Sequence, residues 1–474
     1  MWRTLLIAPL GSLLVLAFAC VTLVLPIVGF GVACAAIFVW IAIIRPYWAL
    51  LATFFLIPFE YLTVLVPADS YGSGGFLNHI TLIKLMFAAI ITAGLLRLTV
   101  MKDERIFQTV SLTPIPALLI AFISLCWLSL ANTQRVPAFA VNMMSLGSGV
   151  VAFFILINLV SDRDRLYVFL KVVCVSYIFI ALAGMFEAVT KTHLLKLLGR
   201  PMIERPWTEN PDAFRICGPS GDPDYYAVSI IFGLMITFAV WPLLKHRLLK
   251  AGLLGVALLH FLAIVATASR GAALSTALAL GIFYLFARIR HKVLIGTACV
   301  IVLGGAFAIF SLTISSRAAA RYTGDTSSWE ERLGWITMCY EMMMDAPVRG
   351  AGSGQFAPQY HRYMKTHSVP REAESAQNTY AQMAAQNGIP TTLVYLAANV
   401  ILWFVLYRVF RGTRDPVLAH IAVSIFSLAL SFFLFSLTLD LAETEVSWIL
   451  FALGVILWRL FSKERADATV AAVA

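Results

Sequence analysis

Apolar runs of the length of a membrane-spanning helix dominate the chain. Because a helix that crosses the hydrocarbon core needs roughly 20 mostly apolar residues, the pattern predicts about fourteen such helices. These predicted spans cover residues 4–25, 27–44, 47–66, 80–96, 113–131, 139–160, 166–189, 225–244, 251–268, 272–287, 293–312, 389–409, 417–437 and 446–460. A helix bundle in lipid grows by adding spans, so we expect an all-α integral membrane protein with a single polytopic domain over residues 1–474.

The first apolar run has some features of a secretory signal peptide. Arg3 precedes it and the small residue Ala19 lies near its end. Apolar sequence nevertheless continues to Ile44 without interruption. We therefore expect an uncleaved membrane anchor at this end of the chain.

Composition agrees with the hydropathy pattern and adds an orientation. The chain is 60% hydrophobic and 13% charged, with a net charge of +10, whereas soluble domains carry about a quarter charged residues. This balance disfavours a soluble enzyme, a nucleic-acid binder and a disulfide scaffold. Since loops rich in Lys and Arg stay in the cytoplasm, basic clusters such as 97–105, 245–250 and 408–414 predict that both termini are cytoplasmic.

Two segments are too polar and too long to be simple turns, and this topology places both on the outer side. They cover residues 190–224 and 313–388, and long structured loops usually carry function. In the longer one, Ser328 to Glu331 has the form of a capping box. Apolar residues follow at helical spacing until Pro347 and Gly350 end the run. The pattern predicts an amphipathic helix that either lies on the membrane surface or caps the bundle.

Two arginines at the outer ends of spans are the sharpest candidates for chemistry. Arg270 lies in a turn between two spans, next to Gly271, and Arg215 lies immediately before a span. A guanidinium group there can hold a phosphate through bidentate hydrogen bonds. The alternative interpretation is an arginine that caps helix carbonyls or reaches the lipid headgroups.

Asp222 and Asp224 form an Asp-Pro-Asp string that resembles the paired carboxylates of some metal-dependent sugar transferases. Helix capping, with Asp224 as the cap, is the favoured interpretation. His and Cys show no metal-ligand spacing in the sequence. Cys217 and Cys339 lie outside the predicted spans, so a disulfide between them is a further possibility in an oxidising compartment.

Other acidic and polar residues have weaker interpretations. Glu60 and Lys84 lie at similar depth and are expected to neutralise each other. Four carboxylates near the outer interface are close enough to water that no function is inferred for them: Glu187, Asp440, Glu443 and Glu445. In the long loop, residues 345–356 read as a glycine-rich turn after a helix, and residues 374–380 as a polar helix start.

In this order, the pieces resemble the O-antigen ligase and polymerase superfamily, multi-span enzymes that join lipid-linked glycans. The resemblance covers about residues 200–400. It is carried by Arg215, Ser269-Arg270-Gly271-Ala272, Pro347 with Gly350 and Gly352, Gln377-Asn378-Thr379-Tyr380 and Gly388-Ile389. It implies a bundle similar to GT-C-type glycosyltransferases, in the bacterial inner membrane, with the active site facing the periplasm.

The resemblance also implies a reaction and partners. The donor would be an undecaprenyl-diphosphate-linked oligosaccharide and the acceptor another glycan. Arg215 and Arg270 would grip the donor diphosphate and stabilise the charge that develops on it, with no metal or other cofactor. A flippase and a chain-length regulator are possible protein partners besides the lipid bilayer, and no nucleic acid is expected.

One departure from the family pattern changes the expected reaction. The similar ligases carry His before the Asn, whereas this chain has Gln377, and glutamine cannot act as a general base. Either another group serves, with Glu374, Glu372 and His367 as candidates, or the step needs little help from a base. We therefore expect a Wzy-type polymerase of O-antigen or exopolysaccharide repeat units, in which Glu374 or Gln377 positions the acceptor.

Further residues of the two loops are expected to contact substrate: Asn378, Tyr380, Arg349, His367 and Asp222. The alternative within the same class is a ligase that transfers glycan to lipid A core or to protein. The alternative from another class is a membrane transporter, which would show broken helices and charged groups near the midplane.

Overall fold

The structure is a computed structural model that describes residues 26–64, 80–99, 113–200, 214–287, 304–305, 327–364 and 375–473. Predicted span 4–25 and nearly all of span 293–312 lie outside the described residues. The candidate site residues Glu372, Glu374 and His367 lie outside them as well. All structural statements below concern the described ranges.

The described chain is built from α-helices, as the hydropathy pattern predicts. Its fifteen α-helices are α1 Pro26–Ile44, α2 Pro46–Leu56, α3 Leu82–Thr99, α4 Ile115–Leu128, α5 Val136–Leu159, α6 Arg163–Thr190, α7 Leu194–Leu197, α8 Pro223–Val240, α9 Arg247–Ala266, α10 Arg270–Phe286, α11 Ser327–Asp345, α12 Phe356–Met364, α13 Thr379–Gly412, α14 Pro416–Phe435 and α15 Glu445–Val473. Within the described ranges, β pairing is limited to one isolated bridge between Val64 and Thr81.

Nine helical segments in the described part of the chain are long and apolar enough to cross a membrane. The shorter apolar helices Ala33–Ile44 and Arg270–Phe286 add to them. The protein is therefore a multi-pass, all-α membrane protein, while the count of fourteen spans stays a prediction. The segments Pro223–Leu243, Pro416–Phe435 and Glu445–Val470 are mostly buried and form the centre of the bundle, whereas Leu82–Thr99 and Arg247–Ala266 are largely exposed.

Short polar side chains fix where several of these helices begin. Each accepts a hydrogen bond from a backbone amide of the first turn, which satisfies a donor that the helix itself leaves without a partner. The capping residues are Asp162 of α6, Asp222 of α8, Ser269 of α10, Asn378 of α13 and Asp415 of α14. Asp222, and not the expected Asp224, is thus the cap of α8, since the side chain that precedes the proline reaches the amides.

The long loop folds back onto one end of the bundle, which we call the loop end. Helix α11 covers the range expected from the capping box and packs against α13. Its residues Trp335, Met338, Cys339 and Met342 are buried in a small core that includes Ala385 of α13. One face of α11 is covered by α13, so the helix caps the bundle, while Leu333, Tyr340 and Met344 on another face are exposed.

A glycine-rich turn locks this loop to a break in α13. The backbone of α13 leaves helical geometry at Gly388, with φ of 85°. There Ile389 N donates to Pro347 O at 2.8 Å, while Ala351 N donates to Ala385 O at 2.8 Å. A Cβ at Gly350 or Gly388 would collide with the opposing backbone, so both positions require glycine. The break lies at the loop end, where the short first segment of α13, which begins at Thr379, meets the rest of the helix.

Two pairings proposed from the sequence have definite outcomes. Lys84 Nζ lies 3.4 Å from Glu60 Oε1, so the expected ion pair is present. Cys217 and Cys339 are both free and buried, and the disulfide considered for them is wrong. Cys339 is buried in the small core of α11, whereas Cys217 is buried against His193, so the two thiols have different surroundings.

Candidate active site

Arg215 is fixed by a short extended segment that runs beside the end of α9. Ile216 N donates to Ala266 O at 3.3 Å, which lays the segment against the helix. The buried Arg215 side chain donates from Nε to Thr267 O at 2.7 Å and from a terminal nitrogen to Asp224 Oδ1 at 3.0 Å. Its guanidinium group is therefore held in one orientation at the loop end of the bundle.

Arg270 lies on the turn that accepts the Arg215 hydrogen bond. Ser269 caps α10 by accepting from Ala272 N at 3.3 Å, and its side chain also hydrogen bonds to Asp224. Arg270 is the first residue of α10 and is exposed. Ala268 has a left-handed φ of 49°, a strained conformation for a residue with a Cβ. The turn thus joins Arg215, Asp224 and Arg270 into one site.

A third arginine, Arg332 of α11, completes this site and was missed from the sequence. It interacts electrostatically with Arg215 and Arg270 and with the carboxylates of Asp222 and Asp224. Burial lowers its pKa, and Asp224 acts in the opposite direction, but a guanidinium group stays protonated in proteins. In the sequence, Arg332 is one polar position of an amphipathic helix, and nothing in its spacing points to the other arginines. We call Arg215, Arg270 and Arg332 the arginine site.

The arginine site also holds Gln377, since Arg332 Nε donates to Gln377 Oε1 at 3.0 Å. Gln377 has a left-handed φ of 49°. On one side of it, Ala376 N donates to Gln382 Oε1 at 2.6 Å. On the other, Thr379 N donates to Ser436 O at 2.8 Å. The strained backbone at Gln377 is thereby fixed from both sides, as is common at functional sites.

The two aspartates at this end have different partners. Asp222 Oδ1 accepts from Asp224 N at 2.8 Å and from Tyr225 N at 3.1 Å, which confirms helix capping by the pair's first member. Burial and the neighbouring Asp224 raise the pKa of Asp222. Asp224 instead pairs with Arg215. The arginine site therefore contains three cations and two carboxyl groups among the described residues.

The remaining predicted substrate contacts are not brought to the arginine site by the described structure. Asn378 uses its Oδ1 to cap α13 and its Nδ2 to donate to Leu437 O at 3.1 Å. Tyr380 packs against Phe433 with ring centroids 5.1 Å apart. Arg349 is exposed in the turn before Gly350. Contacts of these three residues with substrate stay predictions, as do those of Glu374 and His367 outside the described ranges.

An acidic pocket, Asp440 and Glu443 in the connection between α14 and α15, lies near the arginine site. Asp440 accepts from Gln382 Nε2 at 2.6 Å, and Glu443 accepts from the Asn142 amide. Burial raises the pKa of Asp440 to about 6; burial and then Asp440 raise that of Glu443 to about 8. Tyr225 interacts electrostatically with both and with Asp222. Contrary to expectation, Asp440 is buried, because the connection folds inward.

One segment of the chain matches a known protein family. Residues 255–396 match the family model described as O-antigen ligase. The segment contains Arg270, Arg332 and Gln377, whereas Arg215 precedes it. No curated protein matches the chain. The predicted resemblance to the O-antigen ligase and polymerase superfamily is confirmed over this segment.

Proposed function

From a multi-pass membrane protein that carries an O-antigen ligase family domain at residues 255–396, we infer a glycosyltransferase that polymerises lipid-linked polysaccharide repeat units. The observation that carries this proposal is the convergence of Arg215, Arg270 and Arg332 at one end of the bundle. Three cations beside two carboxyl groups leave net positive charge for an anionic ligand. A lipid-linked glycan presents such a group where its sugar meets its carrier.

The arginine site suits the diphosphate of an undecaprenyl-diphosphate-linked donor. Guanidinium groups match phosphate oxygens in bidentate geometry. Arg215 is already oriented by Thr267 and Asp224, so it needs little reorganisation when charge develops on the leaving group. Arg270 is exposed, and Arg332 belongs to helix α11 of the long loop. The arginines supply the charge stabilisation that a divalent ion gives in other sugar transferases.

The proposed step is an inverting transfer. A hydroxyl oxygen of the acceptor glycan attacks the anomeric carbon from the face opposite the diphosphate. The glycosidic bond forms as the carbon–oxygen bond to the diphosphate breaks, and the diphosphate keeps the electron pair. The hydroxyl proton passes to water or to a carboxylate of the site. Gln377 orients the hydroxyl by hydrogen bonding, since an amide cannot accept its proton.

The arrangement requires the loop end to face the periplasm. The carrier lipid then extends into the bilayer while the diphosphate rests at the surface, next to helix ends that emerge from the apolar core. The basic loops at the opposite end would face the cytoplasm, in agreement with the positive-inside rule. The termini would be cytoplasmic and the membrane the bacterial inner membrane.

A ligase that transfers glycan to lipid A core or protein is the second candidate, supported by the description of the matching family. Gln377 favours the polymerase, because it replaces the histidine that similar ligases carry at this position. Its side-chain oxygen accepts a hydrogen bond from Arg332. Transport is less well supported. The helix break at Gly388 lies at the loop end, whereas transporters place such breaks near the midplane.

Reconstitution with purified protein tests the proposal. The protein is incubated with undecaprenyl-diphosphate repeat units, with and without lipid A core, and products are sized on a gel. A ladder from repeat units alone supports the polymerase. A single shifted band that needs lipid A core supports the ligase, and no product under either condition contradicts both.

A further inference from the structure

A second cluster of reactive side chains lies beside the arginine site and has no part in the proposed reaction. It consists of Glu187 near the end of α6, His193 just before α7 and Cys217 two residues after Arg215. All three are buried. One ligand atom from each residue lies within 4.8 Å of the others. Carboxylate, imidazole and thiolate are the three protein ligand types that zinc prefers.

The distances between these atoms fit a metal centre. Cys217 Sγ lies 3.2 Å from His193 Nδ1, which lies 3.7 Å from Glu187 Oε2. The thiol also hydrogen bonds to the Glu187 carboxylate. In a tetrahedral zinc site with metal–ligand bonds of about 2.0–2.3 Å, neighbouring ligand atoms are about 3.3–3.6 Å apart. The observed distances of 3.2 and 3.7 Å lie just below and just above this range, so shifts of a few tenths of an ångström suffice for ligation.

The way the side chains converge argues against a nucleophilic triad. In such a triad the nucleophile and the carboxylate use different nitrogens of the histidine ring, so that a proton passes in series. Here the sulfur and the carboxylate both approach Nδ1. The sulfur is also fully buried, out of reach of a substrate. Convergence on one point is the arrangement of metal ligands.

The surroundings hold these ligands in place. Glu187 accepts backbone amides from Leu194 at 2.7 Å, Cys217 at 2.8 Å and Gly218 at 2.9 Å. The His193 ring stacks on Phe214, with ring centroids 4.4 Å apart. Hydrogen bonds and packing of this kind orient the ligands of metal sites. A thiolate and a carboxylate with a neutral imidazole also balance the charge of a divalent cation in a buried site.

We propose that Glu187, His193 and Cys217 bind one zinc ion, with a water molecule as the fourth ligand. The ion ties the 214–217 segment to the end of α6 and so holds the backbone from which Arg215 extends. Because the thiolate is the form that ligates zinc, binding displaces the thiol proton of Cys217. The zinc takes no part in the proposed transfer step, so its test does not depend on the proposed transferase activity.

Metal content and a cobalt spectrum test the site on the full-length protein in detergent. Zinc is measured by mass spectrometry, and Co²⁺ is then exchanged in to look for sulfur-to-cobalt charge-transfer absorption. Wild type should hold about one zinc per chain and show this band. Cys217→Ser should lose the band and bind zinc at least about 100-fold more weakly. Cys339→Ser, which removes another buried thiol, is the matched control and should behave like wild type.

Measurements on the wild-type protein test the zinc site even if Cys217→Ser does not fold. Zinc added to chelator-treated wild type should raise its Tm, since a ligand that binds only the folded state stabilises it. An unchanged Tm together with no cobalt band in wild type would overturn the proposal. A cobalt band that persists unchanged in folded Cys217→Ser would overturn it too, because the ligand would then be another sulfur.

Discussion

The two ends of the helix bundle use arginine in opposite ways. At the end opposite the loops, Arg163 lies 3.0 Å from Asp415 and 3.6 Å from Glu464, so one cation has two carboxylates. Arg459 donates to the carbonyls of Ile157 and Val160 at the end of α5. These arginines join helices to each other.

At the loop end the balance is reversed. Arg215, Arg270 and Arg332 outnumber the two carboxyl groups of Asp222 and Asp224. Two of the nearby residues, Ala268 and Gln377, have left-handed backbones. Like charges repel, and strained conformations persist only where the surrounding structure imposes them. Net positive charge and backbone strain, more than the presence of arginine, therefore distinguish a binding site from a structural contact.

The largest expected effect comes from removing the exposed member of the arginine site. Arg270→Ala should lower the polymerisation rate by about 10²–10³-fold, because one preorganised group that stabilises the leaving group is lost. The fold should be retained, since Ser269 and not Arg270 caps α10. Initial rates per folded protein measure this. Arg362→Ala, an exposed arginine of α12, is the control; equal rates for both variants would contradict the role of Arg270.

The next largest effect tests whether the long loop contributes to the site. Arg332→Ala should lower the rate by about 10–100-fold, since it removes one cation and the hydrogen bond to Gln377. Arg332→Lys keeps the charge without the guanidinium geometry and should recover part of the rate. Steady-state rates of both variants provide the measurement. Full activity of Arg332→Ala would reduce the arginine site to Arg215 and Arg270.

The acidic pocket predicts a pH dependence of stability located at the loop end. The pKa values of Asp440 and Glu443, about 6 and about 8, lie above those of unfolded carboxyl groups. The folded state then binds more protons than the unfolded state, so stability should fall as pH rises from about 5 to 8. Glu443→Gln should flatten this slope. The Tm of both proteins, measured from about pH 5 to 8, tests this prediction. An identical slope in the variant would show that Glu443 does not cause the pH dependence.

The smallest effect is expected at the opposite end. Arg163→Ala should cost less than about 1 kcal/mol of stability, because its ion pairs are partly exposed and solvent screens them. Its polymerisation rate per folded protein should equal that of wild type. A rate loss comparable to that of Arg270→Ala would show that the contrast between the two ends has no functional meaning.

Local features of the fold were predictable from the sequence, and distant contacts were not. Hydropathy predicted most of the apolar helices that the structure describes, and the helical spacing of apolar residues after Ser328 predicted α11, because both patterns depend on neighbouring residues. Arg215 and Arg270 stood out because they adjoin apolar runs. Arg332 did not, since its contact with Gln377 spans 45 residues and exists only once α11 packs on α13.

Burial of the acidic pocket has the same explanation. Asp440 follows an apolar span and appeared to lie near water. Its contact with Gln382 joins residues 58 positions apart, which depends on how the α14–α15 connection folds. The break at Gly388 is likewise not predicted by the sequence. It is imposed by the backbone of residues 347–351, which no local pattern encodes.

If the arginine site binds diphosphate, it should also bind the released carrier, undecaprenyl diphosphate. The affinity of purified protein for undecaprenyl diphosphate is compared between wild type, the double variant Arg270→Ala/Arg332→Ala and the control Arg163→Ala. The arginine site predicts that the double variant loses at least about 100-fold in affinity, since each charged hydrogen-bonding group contributes about 1.5–3 kcal/mol, and that Arg163→Ala binds like wild type. Equal affinity of the double variant and wild type would contradict the account.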